Sequence, residues 1–469
     1  MTLIDQLSAI VGEAYVLTGD AIGKYAEDWF GQYPSKPLAV VRPATTQEVS
    51  DLVKLANAER VSIVPLSGNT GLVGGGQAND ALILSLDRMN AIREVRSDAR
   101  VAIVEAGVIL SAMHDAADAH DLIFPLMFGA RGSAMIGGVL STNAGGSNVL
   151  RYGNTRDLVL GVEVVLPTGE VMDIMSELHK DNSGYNLKHL LIGAEGTLGI
   201  ITAAVIKLFP KPKAVATAML ACDSVSGALR VLNALQQETG SCVDAFEYMP
   251  GRYIDAHLES FPKARAPFDT RYDVNILVEV SSTIQSMAES NEEGKRHWDH
   301  MLETVLGTFL EDGIITDAVV AQTEAQRQEM WARREVAAEL SLRNRPLVNN
   351  DIALPIDQVE HFLERAEAAV LDVCPTAKIL EVAHLGDGNV HYVVWPHLND
   401  AEILDTIMET VEDIVLDLGG SFSAEHGIGR SKLNSMRRRK DAVALNVMRG
   451  IKRTLDPLNI MNPGKVIPD

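Results

Sequence analysis

The stretch Ser62-Ile-Val-Pro65-Leu-Ser-Gly68-Asn69-Thr70-Gly71-Leu72-Val-Gly74-Gly75-Gly76 begins as a short strand and continues as a glycine-rich run. A second run, from Gly129 to Gly146, has almost no bulky polar side chains. Either run alone would indicate tight turns. Glycine costs backbone entropy on folding, so two such runs together favour a backbone that lies close against a ligand. Backbone N–H groups that cradle a pyrophosphate, beside small residues that admit a large flat group, fit this pattern.

Neither run matches the common nucleotide-binding motifs. After Gly71 no Gly-Lys-Ser/Thr follows, and Gly76 leads into Gln77, which excludes a nucleoside-triphosphate loop. No Gly-x-Gly-x-x-Gly joins a first strand to its helix, which argues against a nicotinamide enzyme. A flavin dinucleotide is therefore the best candidate ligand.

Short apolar strands alternate with helices through the first 210 residues. Thr45-Thr-Gln-Glu48 resembles a capping box and predicts a helix that runs to about Glu59. A chain of 469 residues exceeds what one core usually serves, so we expect two or three domains. Pro210 and Pro212, with lysines beside them, mark the first predicted boundary.

The composition excludes several classes of partner. A formal net charge of −22 argues against nucleic acid and against an anionic membrane surface. The three cysteines, Cys222, Cys242 and Cys374, are widely spaced and odd in number, which favours a reducing compartment. The first residues lack a signal-peptide pattern, and no run approaches the ~20 apolar residues of a spanning helix. We therefore expect a cytoplasmic protein without a transmembrane segment or nucleic-acid partner.

Two histidines flank a dense turn signal in Glu381-Val-Ala-His384-Leu-Gly386-Asp-Gly-Asn389-Val-His391-Tyr392. We predict a hairpin with Gly386–Asn389 as its loop. In that register His384 and His391 oppose each other, with Cβ atoms roughly 5 Å apart, close enough for both rings to bind one metal ion. The alternative is a hairpin whose histidines only form hydrogen bonds.

A carboxylate for such a metal lies further along, in Ser423-Ala-Glu425-His426-Gly427. Two histidines and one glutamate leave a coordination position open, as catalytic sites do, whereas a closed structural zinc site would have a fourth protein ligand. The sequence therefore predicts a divalent metal on His384, His391 and Glu425, with zinc favoured over manganese or cobalt.

The motifs along the chain together resemble the FAD-binding domain of the vanillyl-alcohol oxidase superfamily, the PCMH-type domain, and within it the D-2-hydroxyacid dehydrogenase branch. The resemblance extends from about Asp28 to the C-terminus. Besides the glycine-rich runs and the histidine motifs, the segments that carry it are Leu150-Arg151-Tyr152-Gly153-Asn154, Lys180-Asp-Asn182-Ser-Gly184-Tyr185, Ile192-Gly193-Ala-Glu195-Gly196-Thr197-Leu198-Gly199-Ile200-Ile201 and Met461-Asn462-Pro463-Gly464-Lys465.

The resemblance implies an α+β fold with three parts. These are a two-subdomain FAD-binding domain over residues 1–210, an antiparallel-sheet cap domain with the metal site over 211–420, and a C-terminal segment, 421–469, that packs back on the FAD domain. The residues it assigns to FAD are Pro65, Gly68, Asn69, Thr70, Gly71, Leu72, Gly132, Ser133, Gly137, Gly138, Thr142, Asn143, Gly145, Gly146, Arg151, Tyr152, Gly153, Glu195, Gly196, Gly199, Ile200, Ile201 and Asn462. Relatives that attach FAD covalently through the first loop have a histidine there, and this loop has none, so FAD should be bound non-covalently.

The resemblance also implies chemistry. A metal chelated by the substrate hydroxyl and carboxylate would lower the hydroxyl pKa. His426 would then act as the general base, and Arg334 would bind the substrate carboxylate with its two-pronged guanidinium. Structural alternatives stay open: His426 could orient Glu425, and Arg334 could pair with an acidic neighbour.

The exact substrate is less constrained. Relatives that oxidise 2-hydroxyglutarate tend to have Lys at position 349, Asn at 393 and Thr at 338, where this chain has Asn349, Val393 and Ala338. Either another arginine, such as Arg343 or Arg345, replaces the missing cation, or the substrate is a different acid.

The leading interpretation is FAD- and metal-dependent oxidation of a D-2-hydroxy acid, such as D-2-hydroxyglutarate or D-lactate, to the 2-oxo acid. Electrons would pass to a quinone or an electron-transfer flavoprotein, and a homodimer is compatible with the sequence. The alternatives are a metallohydrolase with a non-redox nucleotide-binding domain and a non-catalytic nucleotide-binding protein.

Overall fold

The computed structural model describes residues 1–29, 31–290, 292 and 294–469. Its first lobe contains a four-stranded sheet in the order β1-β2-β4-β3, with β4 parallel to both β2 and β3. The elements are α1 (Leu3–Val11), β1 (Val16–Leu17), β2 (Ala39–Val41), α2 (Thr46–Glu59), β3 (Ile63–Leu66) and β4 (Leu82–Ser85). Thr45 caps α2 as predicted, but the Glu48 carboxylate accepts the N–H of Ala44 rather than that of Thr45. The reciprocal bond of the predicted capping box therefore lies one residue earlier.

The second lobe is built on a five-stranded antiparallel sheet in the order β5-β6-β10-β8-β9. A short pair, β7 with β11, lies beside it. The elements are β5 (Ile92–Arg96), β6 (Val101–Glu105), α3 (Leu110–Asp118), β7 (Leu122–Ile123), α4 (Ile136–Thr142), α5 (Val149–Tyr152), β8 (Val159–Val165), β9 (Val171–Ile174), α6 (Lys188–Leu191), β10 (Ile200–Lys207) and β11 (Phe209–Pro210). The central strand β10 is buried along nearly its whole length, as its continuous apolar sequence demands.

The cap is a seven-stranded antiparallel sheet in the order β15-β12-β14-β13-β17-β18-β16. Its strands are β12 (Ala214–Cys222), β13 (Val243–Pro250), β14 (Val274–Ser282), β15 (Ile315–Val320), β16 (Val348–Ala353), β17 (Lys378–His384) and β18 (Asn389–Trp395). Its helices are α7 (Val225–Thr239), α8 (Gly251–Ser260), α9 (His297–Glu311), α10 (Glu324–Glu335), α11 (Ala337–Leu342), α12 (Val359–Val373) and α13 (Ala401–Asp417). Apolar residues of α7, α9, α12 and α13 cover one face, and those of α8, α10 and α11 cover part of the other.

After α14 (Leu433–Arg439) and α15 (Ala442–Leu455) the chain returns to the first lobe. The N–H of Ile63 in β3 donates to the Ile460 carbonyl at 2.7 Å, and the N–H of Asn462 donates to the Ile63 carbonyl at 2.8 Å. Ile460 and Met461 are buried in the core of that lobe, where each apolar side chain contributes roughly 1.5–3 kcal/mol. The last residues thus close the fold on the strand that leads into the first glycine-rich run.

Candidate active site

The two histidines lie on neighbouring strands of the cap, but in a different register from the predicted one. β17 ends at His384 and β18 begins at Asn389, so His384 opposes Asn389 and His391 opposes Val382. The predicted direct opposition of the histidines is wrong by two residues. A shift of two residues keeps every side chain on its face of the sheet, so both imidazole rings still lie on the same face. Their centroids lie 5.4 Å apart as diagonal neighbours.

His391 belongs to a compact group of four side chains that could hold a metal. Asp351, His391, Glu425 and His426 each offer one ligand atom, and these atoms lie within 4.8 Å of one another. His391 Nε2 is 3.4 Å from Glu425 Oε1, and its Nδ1 is 3.7 Å from Asp351 Oδ1. His426 stacks on His391 with ring centroids 5.3 Å apart. Three of the four residues were predicted for the site, and Asp351 was missed.

His384 stands next to this group and has its own carboxylate. Its Nδ1 lies 2.9 Å from Glu247 Oε1, and the other oxygen of Glu247 accepts from Arg334 Nε at 2.8 Å. One buried carboxylate on β13 therefore orients both the histidine and the predicted substrate arginine. Because Nδ1 faces Glu247, Nε2 is the nitrogen that remains to bind a metal, and it lies 3.4 Å from Arg334 Nη2.

The electrostatics of the two histidines differ. Burial opposes the charged form of His384, but the Glu247 carboxylate outweighs it and raises the His384 pKa to about 9. Burial lowers the pKa of His391 well below its usual value, and the nearby His426, His384 and Arg334 add to that effect, while Asp351 opposes it. His391 is therefore neutral near pH 7, the form in which imidazole binds a metal.

Asp351 stays ionised although it is almost completely buried. Burial alone would raise its pKa, but His426, Lys432 and His391 together lower it below the usual range. The side chain accepts the backbone N–H groups of Glu425 and His426, at 3.1 and 2.8 Å. A strand of the cap thus holds the backbone of the segment that supplies Glu425.

Several glycines assigned to FAD bring the two glycine-rich runs together. A Cβ on Gly68 would lie 2.1 Å from the Ser133 carbonyl, and one on Gly138 would lie 3.0 Å from Ser67 Cβ. The approach at Gly68 requires glycine and that at Gly138 is tight, so the two runs lie directly against each other. Gly137, Gly146 and Gly199 are also packed tightly against neighbours.

Other features of this surface fit a bound cofactor. A Cβ on Gly71 or Gly132 would meet no atom within 4 Å, so open space adjoins both positions. Within the part of the chain that the structure describes, Ser67 Oγ and Asn462 Oδ1 are buried without a hydrogen-bond partner, while Asn462 Nδ2 donates to the carbonyls of Gly75 and Glu195. Buried polar atoms of this kind normally have partners, so a ligand with hydrogen-bonding groups suits the site. These residues fit FAD.

Some residues assigned to FAD have other partners. The Arg151 guanidinium binds Asp244 and Ser281 of the cap, each at 2.7 Å, and so ties the second lobe to the cap. Tyr152 packs edge-on against Phe209. The side chains of Ile200 and Ile201 are buried in the cores of the two lobes. The other residues that the resemblance assigns to FAD are Pro65, Asn69, Thr70, Leu72, Thr142, Asn143, Gly153 and Gly196. The assignment of individual residues to FAD stays a prediction.

The cofactor surface and the metal group adjoin each other. A Cβ on Gly145 would lie 2.6 Å from Glu425 Oε2, so the second glycine-rich run touches the carboxylate of the candidate metal site. Glu195, also assigned to FAD, accepts the N–H groups of Ile428 and Gly429 at 2.7 and 2.8 Å. The candidate active site therefore lies where the FAD-binding domain, the cap and the C-terminal segment meet.

Two protein-family models match this chain. One, described as an FAD binding domain, matches residues 37–175. The other, described as the C-terminal domain of FAD linked oxidases, matches residues 211–466, more than half of the chain. The chain belongs to the family of FAD-linked oxidases. The prediction of a flavoprotein oxidoreductase that uses FAD is confirmed, and the metallohydrolase interpretation is not favoured.

Three relatives define the branch. A D-2-hydroxyglutarate dehydrogenase of Xanthomonas citri pv. viticola is 35% identical over 448 residues, covering 94% of this chain and 92% of the relative. One from Stutzerimonas stutzeri is 33% identical, covering 99% and 98%. The mitochondrial one of Bos taurus is 35% identical, covering 94% and 79%. The predicted membership of the D-2-hydroxyacid dehydrogenase branch is confirmed.

Solved structures show the same fold. That of p-cresol methylhydroxylase with substrate bound has a TM-score of 0.75 at 17% identity, covering 99% of this chain and 96% of that one. That of alkyldihydroxyacetonephosphate synthase has a TM-score of 0.71 at 19% identity, covering 98% and 85%. The predicted α+β class, with a two-lobed FAD-binding domain and an antiparallel cap, is confirmed. Among the helices in the described part of the chain, none is long and apolar enough to cross a membrane.

Proposed function

We propose that this protein oxidises a D-2-hydroxy acid to the 2-oxo acid, using FAD and a divalent metal. The observation that carries the proposal is the cluster of His391, Glu425 and His426, which lies beside His384 and Arg334 and touches the FAD surface at Gly145. Relatives named D-2-hydroxyglutarate dehydrogenases are 33–35% identical over nearly the whole chain. The electron acceptor would be a quinone or an electron-transfer flavoprotein.

The metal site would consist of His384, His391 and Glu425, and a divalent cation there supplies a charge that lowers the pKa of a coordinated hydroxyl. Glu247 holds His384 through Nδ1 and raises its pKa to about 9, so a metal that binds Nε2 would displace the proton there, whereas burial keeps His391 neutral. Asp351 also lies in the cluster, but both of its oxygens already accept hydrogen bonds, from Asn389 Nδ2 and from two backbone N–H groups. Asp351 therefore supports the site without being a ligand.

The protein's own residues would bind the substrate and take its proton. Arg334 donates from Nε to Glu247 and its Nη2 lies 3.4 Å from His384 Nε2, so Nη1 and the second N–H of Nη2 would bind the substrate carboxylate. His426, stacked on His391, would accept the proton of the substrate hydroxyl. FAD, when bound, supplies the two-electron acceptor for the hydrogen on the substrate carbon. Fixing the hydroxyl and the carboxylate together would leave one face of the carbon toward the flavin, so one enantiomer would react, and the names of the relatives favour D.

A row of uncharged side chains lies beside the site, and it bears on whether the substrate side chain carries a charge. Across β17, β18 and β16, the row of Leu380, Val393 and Asn349 lies next to the row that contains His391 and Asp351. The cation of Arg343 lies further along this face, over the Trp395 ring at 5.9 Å, with a hydrogen bond to Ser260. We therefore propose that both D-2-hydroxyglutarate and D-2-hydroxy acids with uncharged side chains be tested as substrates.

The deciding experiment is anaerobic bleaching of the bound flavin by a panel of D- and L-2-hydroxy acids. Reduction by D acids alone supports the proposal, and absence of bleaching by every acid contradicts it. Turnover with a dye, a quinone and an electron-transfer flavoprotein then compares acceptors.

Acid precipitation of the same protein should release intact FAD, since the loop with Gly68, Asn69 and Thr70 has no residue for covalent attachment. Flavin that stays on the polypeptide would contradict non-covalent binding.

A further inference from the structure

Residues 424–429, here called the bridging loop, carry Glu425 and His426. Two glycines in this loop restrict its backbone conformation. Gly427 and Gly429 have φ values of 80° and 49°, in the region that favours glycine. A Cβ on Gly427 would lie 2.6 Å from Glu195 Oε1, and one on Gly429 would lie 2.3 Å from the Val73 carbonyl. The loop is thus pressed against the FAD-binding domain on one side.

Two buried carboxylates hold the bridging loop, one from each domain. Asp351, on β16 of the cap, accepts the N–H groups of Glu425 and His426 with Oδ2. Glu195, in the FAD-binding domain, accepts the N–H of Ile428 with Oε1 and that of Gly429 with Oε2. Asp351 is 1% exposed and Glu195 is 8% exposed, so water does not compete for these bonds.

Lys432 reinforces the cap end of this arrangement. Its buried ammonium donates to the carbonyls of Asp351 and Phe422 and to Ser423 Oγ, at 3.0–3.2 Å. The N–H of Ala424 also donates to the Asp351 carbonyl at 3.1 Å. The start of the loop is therefore fixed to β16, while its end is fixed to Glu195.

We propose that Asp351 and Glu195 are positioning residues that fix Glu425 and His426 from two domains at once. The inference rests on the proposed function in that Glu425 and His426 are taken as metal ligand and base. Neither Asp351 nor Glu195 acts on the substrate in this scheme. Each side chain accepts two successive backbone N–H groups of the loop, so the active geometry depends on the cap and the FAD-binding domain lying together.

Isosteric amides test the proposal with little change in volume. In Glu195→Gln, one accepting oxygen becomes an N–H₂ donor that faces a backbone N–H. In Asp351→Asn, the new N–H₂ faces either the Asn389 amide or the loop N–H groups. We expect hydrogen exchange, measured by mass spectrometry on peptides that cover 424–429, to rise about tenfold or more in each variant.

Asp456→Asn is the matched control. Asp456 is 2% exposed and also accepts two successive backbone N–H groups, those of Ile460 and Met461, at 3.0 and 2.8 Å. We expect this variant to raise exchange at 460–461 and to leave 424–429 at the wild-type rate. A rise at 424–429 in the control as large as in the other two variants would show general loosening and would overturn the proposal.

Zinc affinity gives a second readout, from competition with a chromophoric chelator. We expect it to fall about 10- to 100-fold in Asp351→Asn and Glu195→Gln, while X-ray absorption still shows two imidazoles and one carboxylate. Loss of one carboxylate ligand in Asp351→Asn would make Asp351 a ligand and refute its positioning role. In both variants kcat should fall more than KM rises.

Failure of this inference is separable from failure of the proposed function. If the wild-type protein oxidises no D-2-hydroxy acid, the function is wrong, yet exchange at 424–429 still decides whether the carboxylates hold the loop. If the wild type is active and both variants exchange at the wild-type rate, the positioning role is wrong. Asp351 and Glu195 lie in different domains, so if one variant does not fold, the other still decides the question.

Discussion

The two sides of the candidate active site are built differently. On one side, Glu247 orients His384 and Arg334, and all three residues lie in the cap. On the other side, His391 from the cap meets Glu425 and His426 from the bridging loop. The first side exists once the cap sheet and α10 have formed. The second exists only when the C-terminal segment has returned across both domains.

Because the two sides depend on different parts of the fold, each can be weakened separately. A carboxylate inside one sheet, such as Glu247, affects the histidine and arginine that it touches. A carboxylate that holds the bridging loop, such as Glu195, acts on Glu425 and His426 through the backbone of the loop.

Removal of the metal should affect both sides and abolish turnover. We expect dialysis against a strong chelator to leave no measurable oxidation of the substrate and to leave the FAD spectrum unchanged, because the cofactor surface lies on the other domain. Zinc, manganese or cobalt should restore activity. Full activity in protein shown to be metal-free by elemental analysis would remove the metal from the mechanism.

His426→Ala tests the loop side alone. The rate of flavin reduction should fall about 100-fold or more, the usual scale for losing a general base, while metal content and FAD stay at wild-type levels. Stopped-flow absorbance measures this rate directly. Glu425→Ala, the neighbouring change, should instead lose the metal first. Wild-type flavin reduction by metal-loaded His426→Ala would mean that another group is the base.

Glu247→Gln tests the sheet side alone. The amide keeps the shape but cannot accept from both His384 Nδ1 and Arg334 Nε, so metal affinity should fall about 10- to 100-fold and the substrate KM should rise. Glu381→Gln is the matched control, because Glu381 is also a buried carboxylate in this sheet but is paired with Arg252 instead of a histidine. Equal metal affinity in both variants would show that Glu247 has no special role.

Asn349→Lys should have the smallest effect on the site and changes only the substrate preference. A cation in the row beside His391 would pair with a second carboxylate, so kcat/KM for D-2-hydroxyglutarate relative to D-lactate should rise about tenfold. Asn349→Met, which has a side chain of similar length without charge, is the control. An unchanged ratio would place the distal end of the substrate elsewhere.

The local sequence of the β17–β18 hairpin predicted its strands but not its register. The turn residues and flanking β-branched residues predicted the two strands and the correct face for both histidines. The register was wrong by two residues, because the loop is Leu385–Gly388 rather than Gly386–Asn389. The position of the loop also depends on the pairing of β18 with β16, and β16 lies outside the hairpin sequence.

The buried carboxylates were the main features that the sequence did not reveal. Asp351 and Glu247 lie in strands that are otherwise mostly apolar or neutral, and an acidic residue in a buried strand was the available signal. Glu195 was assigned to FAD by its motif, yet its carboxylate binds the backbone of the bridging loop. Their partners are far away in sequence, so no local spacing could show what they hold.

The amino-acid sequence was enough to establish the family and the use of FAD, and it predicted most of the side chains of the candidate active site. It did so because glycines needed for close approach and histidines on one strand face leave local patterns. Only the tertiary structure decided how the site is held together. Asp351 lies 74 residues from Glu425, and Glu195 lies 233 residues from Ile428, and contacts over such distances form only when both domains and the returning C-terminal segment are packed. The physical reason is that a hydrogen bond is set by distance in space, which the order of residues along the chain does not fix.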